Sequence, residues 1–258
     1  MAISPDFRTY PRASAATTAA VLDAGLRAYM LRVYNWMSSG LVLTGIVAYV
    51  IANTQLKAAF YHDVVTQSGM TIHNQPTGLA LLSIFAPLAF ILVLSMGVNR
   101  LSKSTAQALY WVFCAAMGAS LTSIFIVYTG DSIVRVFFIT AATFAGMSIY
   151  GYTTKADLSR FGSFLFMGLI GIIIAGLVNM FMQSSALQFA ISIIGVLVFT
   201  GLTAFDTQRI KATYVQYAYA DGVDAAAKRS VYDALSLYLN FINLFMLLLQ
   251  LLGNRNSN

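Results

Sequence analysis

The sequence predicts an all-α integral membrane protein, a bundle of seven transmembrane helices. Composition is the first observation: 59% of the 258 residues are hydrophobic and only 9% are charged, where soluble domains carry about 25% charged residues. The mean hydropathy of +0.74 agrees. The second is a set of charge-free windows, each near the roughly 20 apolar residues that a helix needs to cross the hydrocarbon core. The third is where the basic residues fall. The net charge of +6 is spread over short loops, with too little polar surface to form a nucleic-acid-binding face. All nine acids are Asp.

Residues 1–27 read as a polar N-terminal arm, rich in Ala and Thr and carrying Arg8, Arg12 and Arg27. They hold no early apolar core, so no cleavable signal peptide is expected. The transmembrane domain follows over residues 28–253. Its spans are expected at Val33–Asn53, Gly78–Val98, Thr105–Tyr128, Val136–Tyr152, Gly162–Met182, Ala186–Phe205 and Ala234–Leu252. The apolar stretch from Phe161 to Phe205 is too long for one crossing, and MQSSA at Met182–Ala186 splits it into a hairpin. Residues 254–258 are a short tail. Small residues at four-residue spacing, Ala115/Ala119/Ser123 and Gly171/Ala175, suit close helix contacts in lipid. Cys114, the only cysteine, sits in an apolar run as a small packed side chain.

Orientation follows from Lys and Arg. With the N-terminus cytoplasmic, the inner side holds Arg8, Arg12, Arg27, Arg32, Arg100, Lys103, Lys155, Arg160, Arg209, Lys211, Lys228 and Arg229. The outer side holds Lys57, Arg135 and Arg255. This places Asp206 at the inner end of the sixth span.

The seventh span is less uniform than it looks. At 100° per residue, Asp233, Ser236, Asn240, Asn243 and Gln250 fall on one face, with Leu247 completing the spacing. Such a stripe must face protein or water, since lipid leaves amides unpaired. It serves either as interhelical glue or as an ion or proton pathway. Asp206, within VLVFTGLTAFDTQRIK, poses the same choice. It either solvates a helix end, compensated by Arg209 and Lys211 one turn on, or it has a function.

The stretches GLTAFDTQRIK and ALSLYLNFINLFMLLLQLLG, with ALYWVFCAAMGASLTSIFIVYT and FAGMSIYGYTTKADLSRFGSFLFMGLIGIIIAG, resemble the Bax inhibitor-1 family. The resemblance covers roughly Arg100 to Gly253. It implies seven helices with the last at the centre, and a pH-sensitive calcium leak across a bacterial inner membrane. It also implies a pair of Asp residues on the sixth and seventh helices and an Arg latch on the second. The first Asp matches Asp206, which would meet the transported Ca2+ transiently. Arg100 is the nearest counterpart of the latch. The second Asp is replaced: where the family reads LYLDFINLF this chain reads LYLNFINLF, giving Asn240. Asp233 lies seven residues earlier on the same face, about 10 Å along the axis and too far for a direct substitute. The candidate ion-pathway residues are therefore Asp206, Asn240, Asp233, Asn243, Ser236 and Arg100. The alternative function is an interaction protein that modulates a membrane-bound quality-control protease or a stress or cell-death response.

Enzyme classes fit poorly. Asp206 and Asp233 are the only carboxylates for an aspartyl intramembrane protease, and neither lies in that class's sequence context. Both histidines, His62 and His73, fall in the first outer loop as solvated residues, which leaves no membrane His for a serine protease. The last span holds no Lys for retinal. No cofactor is expected, and the partners are the bilayer, Ca2+ and the candidate protease. The charge bias predicts that, in intact cells, a cysteine at position 63 is labelled from outside and one at position 157 is not. The reverse result would overturn the topology.

Overall fold

The structure, a computed structural model, describes residues 15–65, 71–97, 101–217 and 223–256. In chain order these form α1 (Ala15–Asn53), α2 (Lys57–Phe60), β1 (Tyr61–Val65), β2 (Thr71–Pro76), α3 (Gly78–Gly97), α4 (Lys103–Ser120) and α5 (Thr122–Val127). There follow α6 (Gly130–Thr153), α7 (Ser159–Met182), α8 (Ser185–Tyr217) and α9 (Val223–Leu252). Among the described residues, six helical segments are long and apolar enough to cross a membrane, α4 and α5 counting as one, and α3 is a shorter apolar helix. At 20 residues, α3 extends about 30 Å, one hydrocarbon thickness.

The last helix is the core. Of its membrane window 61% is buried inside the protein, against 6% for α7. It packs on α1, α4, α6 and α8, while α3 packs on α4 and α7 on α8. Leu237, Leu244 and Leu249 on α9 are fully buried, as is Tyr238, whose hydroxyl lies 2.6 Å from that of Thr44 on α1. The rings of Phe113 and Tyr110 on α4 meet Tyr238 edge-on.

One sequence expectation is met at the end of an element. The MQSSA hairpin forms as α7 stops at Met182, with Gln183 in the left-handed region at φ 49° and its N–H on the Asn179 carbonyl. Ser102 caps α4 by accepting from the Thr105 N–H. Other boundaries differ. The third crossing breaks at Leu121, between α4 and α5. Helix α8 runs on through Asp206 to Tyr217. Asp206 is thus in a helix interior and not near a C-terminus with an unfavourable dipole. The charged turn after Phe205 ends the apolar window, but Arg and Lys are good helix formers and the helix continues. Likewise α1 takes in residues 15–27.

The connections at one end of the bundle are stapled together. Lys211 Nζ donates to the Tyr152 carbonyl and Lys228 Nζ to that of Leu101. The Gln208 side chain donates to the Ala156 carbonyl and accepts from the Leu158 N–H. These contacts bring the α3–α4, α6–α7 and α8–α9 connections to one end. At the other end the tail returns onto α5 and α6: the Thr129 N–H donates to the Asn254 carbonyl and the Asn256 N–H to that of Val127. The hairpin β1–β2 lies at this second end. There the Asp63 carboxylate accepts from the Asn74 N–H at 2.9 Å and pairs with His73 Nδ1 at 2.9 Å. Those bonds, the backbone one foremost, hold its pKa below the ordinary carboxylate value. Because the shift is downward, the contact is intact at neutral pH and is lost as pH falls through the lowered pKa.

Glycines report where helices touch. A Cβ on Gly151 of α6 would collide with the Ala204 backbone of α8, and one on Gly118 would lie 2.6 Å from the Thr44 carbonyl oxygen. On α7 the contacting glycines are Gly162, against Phe205, and Gly168, against Val198. A Cβ on Gly171 meets nothing, so the expected contact at that position does not form. Gly151→Ala should lower stability in detergent by about 1–3 kcal/mol, the usual cost of overpacking. Gly146→Ala, into open space on the same helix, should leave it unchanged or raised. Thermal unfolding followed by helicity checks both.

Candidate functional site

The polar face of α9 meets α8 along its N-terminal half. Asp206 on α8 is 6% exposed, as is Asn240 on α9. The Asn240 amide donates through Nδ2 to Asp206 Oδ2 at 2.7 Å. Arg209, three residues on and therefore on the same face of α8, sets its guanidinium 3.0 Å from Asp206 Oδ1. The same Arg209 nitrogen donates to Ser236 Oγ on α9 at 3.2 Å. Both carboxylate oxygens are thus engaged, one by a neutral amide and one by a cation. Neighbouring hydroxyls take no part, because Thr203 and Thr207 donate to carbonyls one turn back on their own helix.

An ionised carboxylate in so dry a place needs such partners, since an uncompensated buried charge is costly. Arg209 is 41% exposed at its side chain. It lines a hollow of about 500 Å³ with Lys155, Asp157 and Gln208, at the end where the α6–α7 connection lies. The guanidinium therefore stands between this hollow and the buried acid.

The remaining candidates occupy different places along the stripe. Asp233 is half-buried and accepts from the Tyr29 hydroxyl of α1 at 2.5 Å. Asn243 donates to the Leu239 carbonyl of its own helix. Leu247 is buried against Gly195 of α8, where an added Cβ would lie 2.7 Å from its Cδ1. Beyond it, Gln250 Oε1 accepts from Gln188 Nε2 at 2.7 Å and from Ser192 Oγ at 3.0 Å. The stripe is therefore two polar clusters separated by a dry contact. Arg100 lies outside the described residues.

Two partners went unread in the sequence. Arg209 was visible only as one of two nearby cations, and Lys211 turns instead to Tyr152. Tyr29 lies 204 residues from Asp233, just past the segment read as a polar arm and before the first expected span. Its only available signal was a phenol in the AYMLRVY stretch that leads into the first span, beside Arg32 and a second phenol, Tyr34.

A helical bundle whose central helix carries polar side chains inward, one of them tied to a buried carboxylate, defines a multi-pass membrane protein with a polar interior. Residues 26–257 match the family described as inhibitor of apoptosis-promoting Bax1, and the chain belongs to this Bax inhibitor-1 family. It is 47% identical over 232 residues to the inner membrane protein YbhL of Escherichia coli (strain K12), covering 90% of this chain and 94% of that one. It is 46% identical over 236 residues to an uncharacterized protein of Rickettsia prowazekii, covering 91% and 93%. An uncharacterized membrane protein of Streptococcus pyogenes is 32% identical over 237 residues, covering 91% and 96%.

The geometry separates the two amides of the stripe. Asn240→Leu removes the donor on Asp206 Oδ2 and should destabilise the protein by about 1.5–3 kcal/mol, the range for hydrogen bonds to charged groups. Asn243→Leu removes only a bond within its own helix and should cost less than about 1 kcal/mol. Unfolding of the two variants in one detergent gives the comparison.

Proposed function

We propose that this protein is a calcium leak channel of the Bax inhibitor-1 type, held closed in this conformation. The observation that carries the reading is the buried Asp206, with one oxygen on Asn240 and the other on Arg209. A carboxylate facing a membrane interior is a natural station for a passing cation. A resident Ca2+ takes six to eight oxygens, so Asp206 serves here as a transient contact for transported Ca2+. While Arg209 holds it, the cation's place is taken by the guanidinium. Opening is then the release of Arg209 toward the hollow beside it, which leaves Asp206 accessible. Arg209 thereby fills the role for which Arg100 was the sequence candidate. The protein acts without catalysis, its N-terminus faces the cytoplasm, and it resides in a bacterial inner membrane, as the name of the YbhL relative supports.

Asn240 sets the pH response. Two carboxylates at hydrogen-bond distance share one proton and titrate as a coupled pair. The pair here has a single titrating group and an amide that donates at every pH. It behaves as though fixed in the singly protonated state, so the leak depends only weakly on pH near neutrality. Calcium flux into protein-only liposomes, measured between about pH 6 and 8 where a coupled carboxylate pair can titrate, tests this. Asn240→Asp should steepen the profile and Asp206→Asn should abolish what dependence remains. Superimposable profiles for wild type and Asn240→Asp would dismiss the pair as the switch. Absence of any leak without a second protein would favour the protease-modulating alternative.

A further inference from the structure

A slot runs along the membrane face of the bundle between α1 and α6. Both helices pack on α9, yet they make no extensive contact with each other. The space between them is about 1010 Å³. Phe241 of α9 forms its floor, and Met37 and Leu41 of α1 face Phe137 and Phe144 of α6 across it. A smaller pocket of about 100 Å³ continues from it over Leu41, Gly45 and Phe241 toward Ala48 and Phe245.

Small residues keep the slot open. Gly45 on α1 and Ala141 and Ala145 on α6 all line it. In membrane helices such residues ordinarily admit a neighbouring helix. Here none of the described helices enters, and a Cβ built on Gly45 meets no described atom within 4 Å. From Met30 to Ile46 the slot follows α1 for 17 residues, about 24 Å, which exceeds one leaflet of a hydrocarbon core about 30 Å thick. Its inner end is not apolar. Arg27 lines it there, exposed, with the tyrosines Tyr34 and Tyr152. Among the described residues no carboxylate forms an ion pair with Arg27.

We propose that this slot is a binding site for an anionic phospholipid, with an acyl tail between α1 and α6 and the phosphate at Arg27. The two ends match the two ends of that ligand. The long apolar channel takes an acyl chain, and the Arg27 guanidinium, which no described carboxylate pairs, supplies charge complementarity at its polar end. Basic sites between transmembrane helices on the inner side hold acidic headgroups in this way. The occupied slot also borders the candidate site. Ser148 lines it and its hydroxyl oxygen lies 3.4 Å from that of Thr207, one residue from Asp206. Phe241 in the floor follows Asn240. The binding claim stands apart from the calcium reading and is tested without it.

The experiment uses full-length protein in phosphatidylcholine nanodiscs doped with phosphatidylglycerol that carries a photoactivatable group in its tail. Adducts are mapped by peptide mass spectrometry. Wild type should be labelled at slot residues such as Met37 and Phe137 at low doping, and at the α7 surface around Phe164 and Ile174 only in proportion to doping. Ala145→Trp, which fills the slot, should lose the slot adducts and keep those on α7. Gly45→Leu, into open space, provides the same test should the first variant fail to fold. Arg27→Gln should erase the preference for the phosphatidylglycerol probe over a phosphatidylcholine probe with the same tail. Uniform labelling of α1, α6 and α7, or slot adducts unchanged by both filling variants, would overturn the proposal. So would protection of the slot by a second copy of the chain, seen as a dimer in light scattering.

Discussion

The buried Asp206 carboxylate is the constraint on which the other features depend. A charge with 6% exposure must be compensated by neighbours, and the neighbours come from both α8 and α9. Arg209 supplies the opposite charge from the same helix, Asn240 supplies a donor from the central one, and Ser236 accepts from the same guanidinium nitrogen that faces the carboxylate. Moving α9 by one turn, about 5.4 Å, would break all of these together. The site therefore sets the register between the two helices, just as Gln250 with Gln188 and Ser192 sets it at the opposite end. Between these ends Leu247 on Gly195 supplies close packing without polar atoms.

The centrality of α9 follows from the same chemistry. A helix bearing Asp233, Ser236, Asn240 and Asn243 cannot face lipid on that side, and its opposite faces bury Leu237, Leu244 and Leu249. The more uniformly apolar α7 can be peripheral, and it is 6% buried over its membrane window. Helix position in the bundle thus sorts by polar content. The clamped tail and the lysine staples at Tyr152 and Leu101 fix the two ends of this inner helix pair.

Much of this was legible in the sequence because charge-free windows are long and loop charges are few. The Met182–Ala186 hairpin was readable for that reason. Asp206 and Asn240 were singled out by a family resemblance, and the stripe containing Asn240 by its helical spacing. Helix limits were not readable in the same way. Charge marks where the membrane ends, whereas α8 continues for eleven residues past Asp206 to Tyr217. Contacts made by single side chains over long sequence distance, such as Tyr29 with Asp233, leave no periodic trace. The choice between Arg209 and Lys211 as partner of Asp206 depends on the three- or five-residue offset around the helix. An i,i+3 pair faces together and an i,i+5 pair does not.

The central claim is that Asp206 and Asn240 act as one unit in controlling a calcium leak. A double-mutant cycle of leak rates tests it most directly. Wild type, Asp206→Ala, Asn240→Ala and the double variant are each reconstituted in protein-only liposomes at one pH. The account predicts that wild type leaks calcium above empty liposomes and that the double variant resembles the Asp206→Ala single variant, because Asn240 acts only through the carboxylate it holds. Independent, additive effects of the two substitutions, or no leak from wild type, would contradict it.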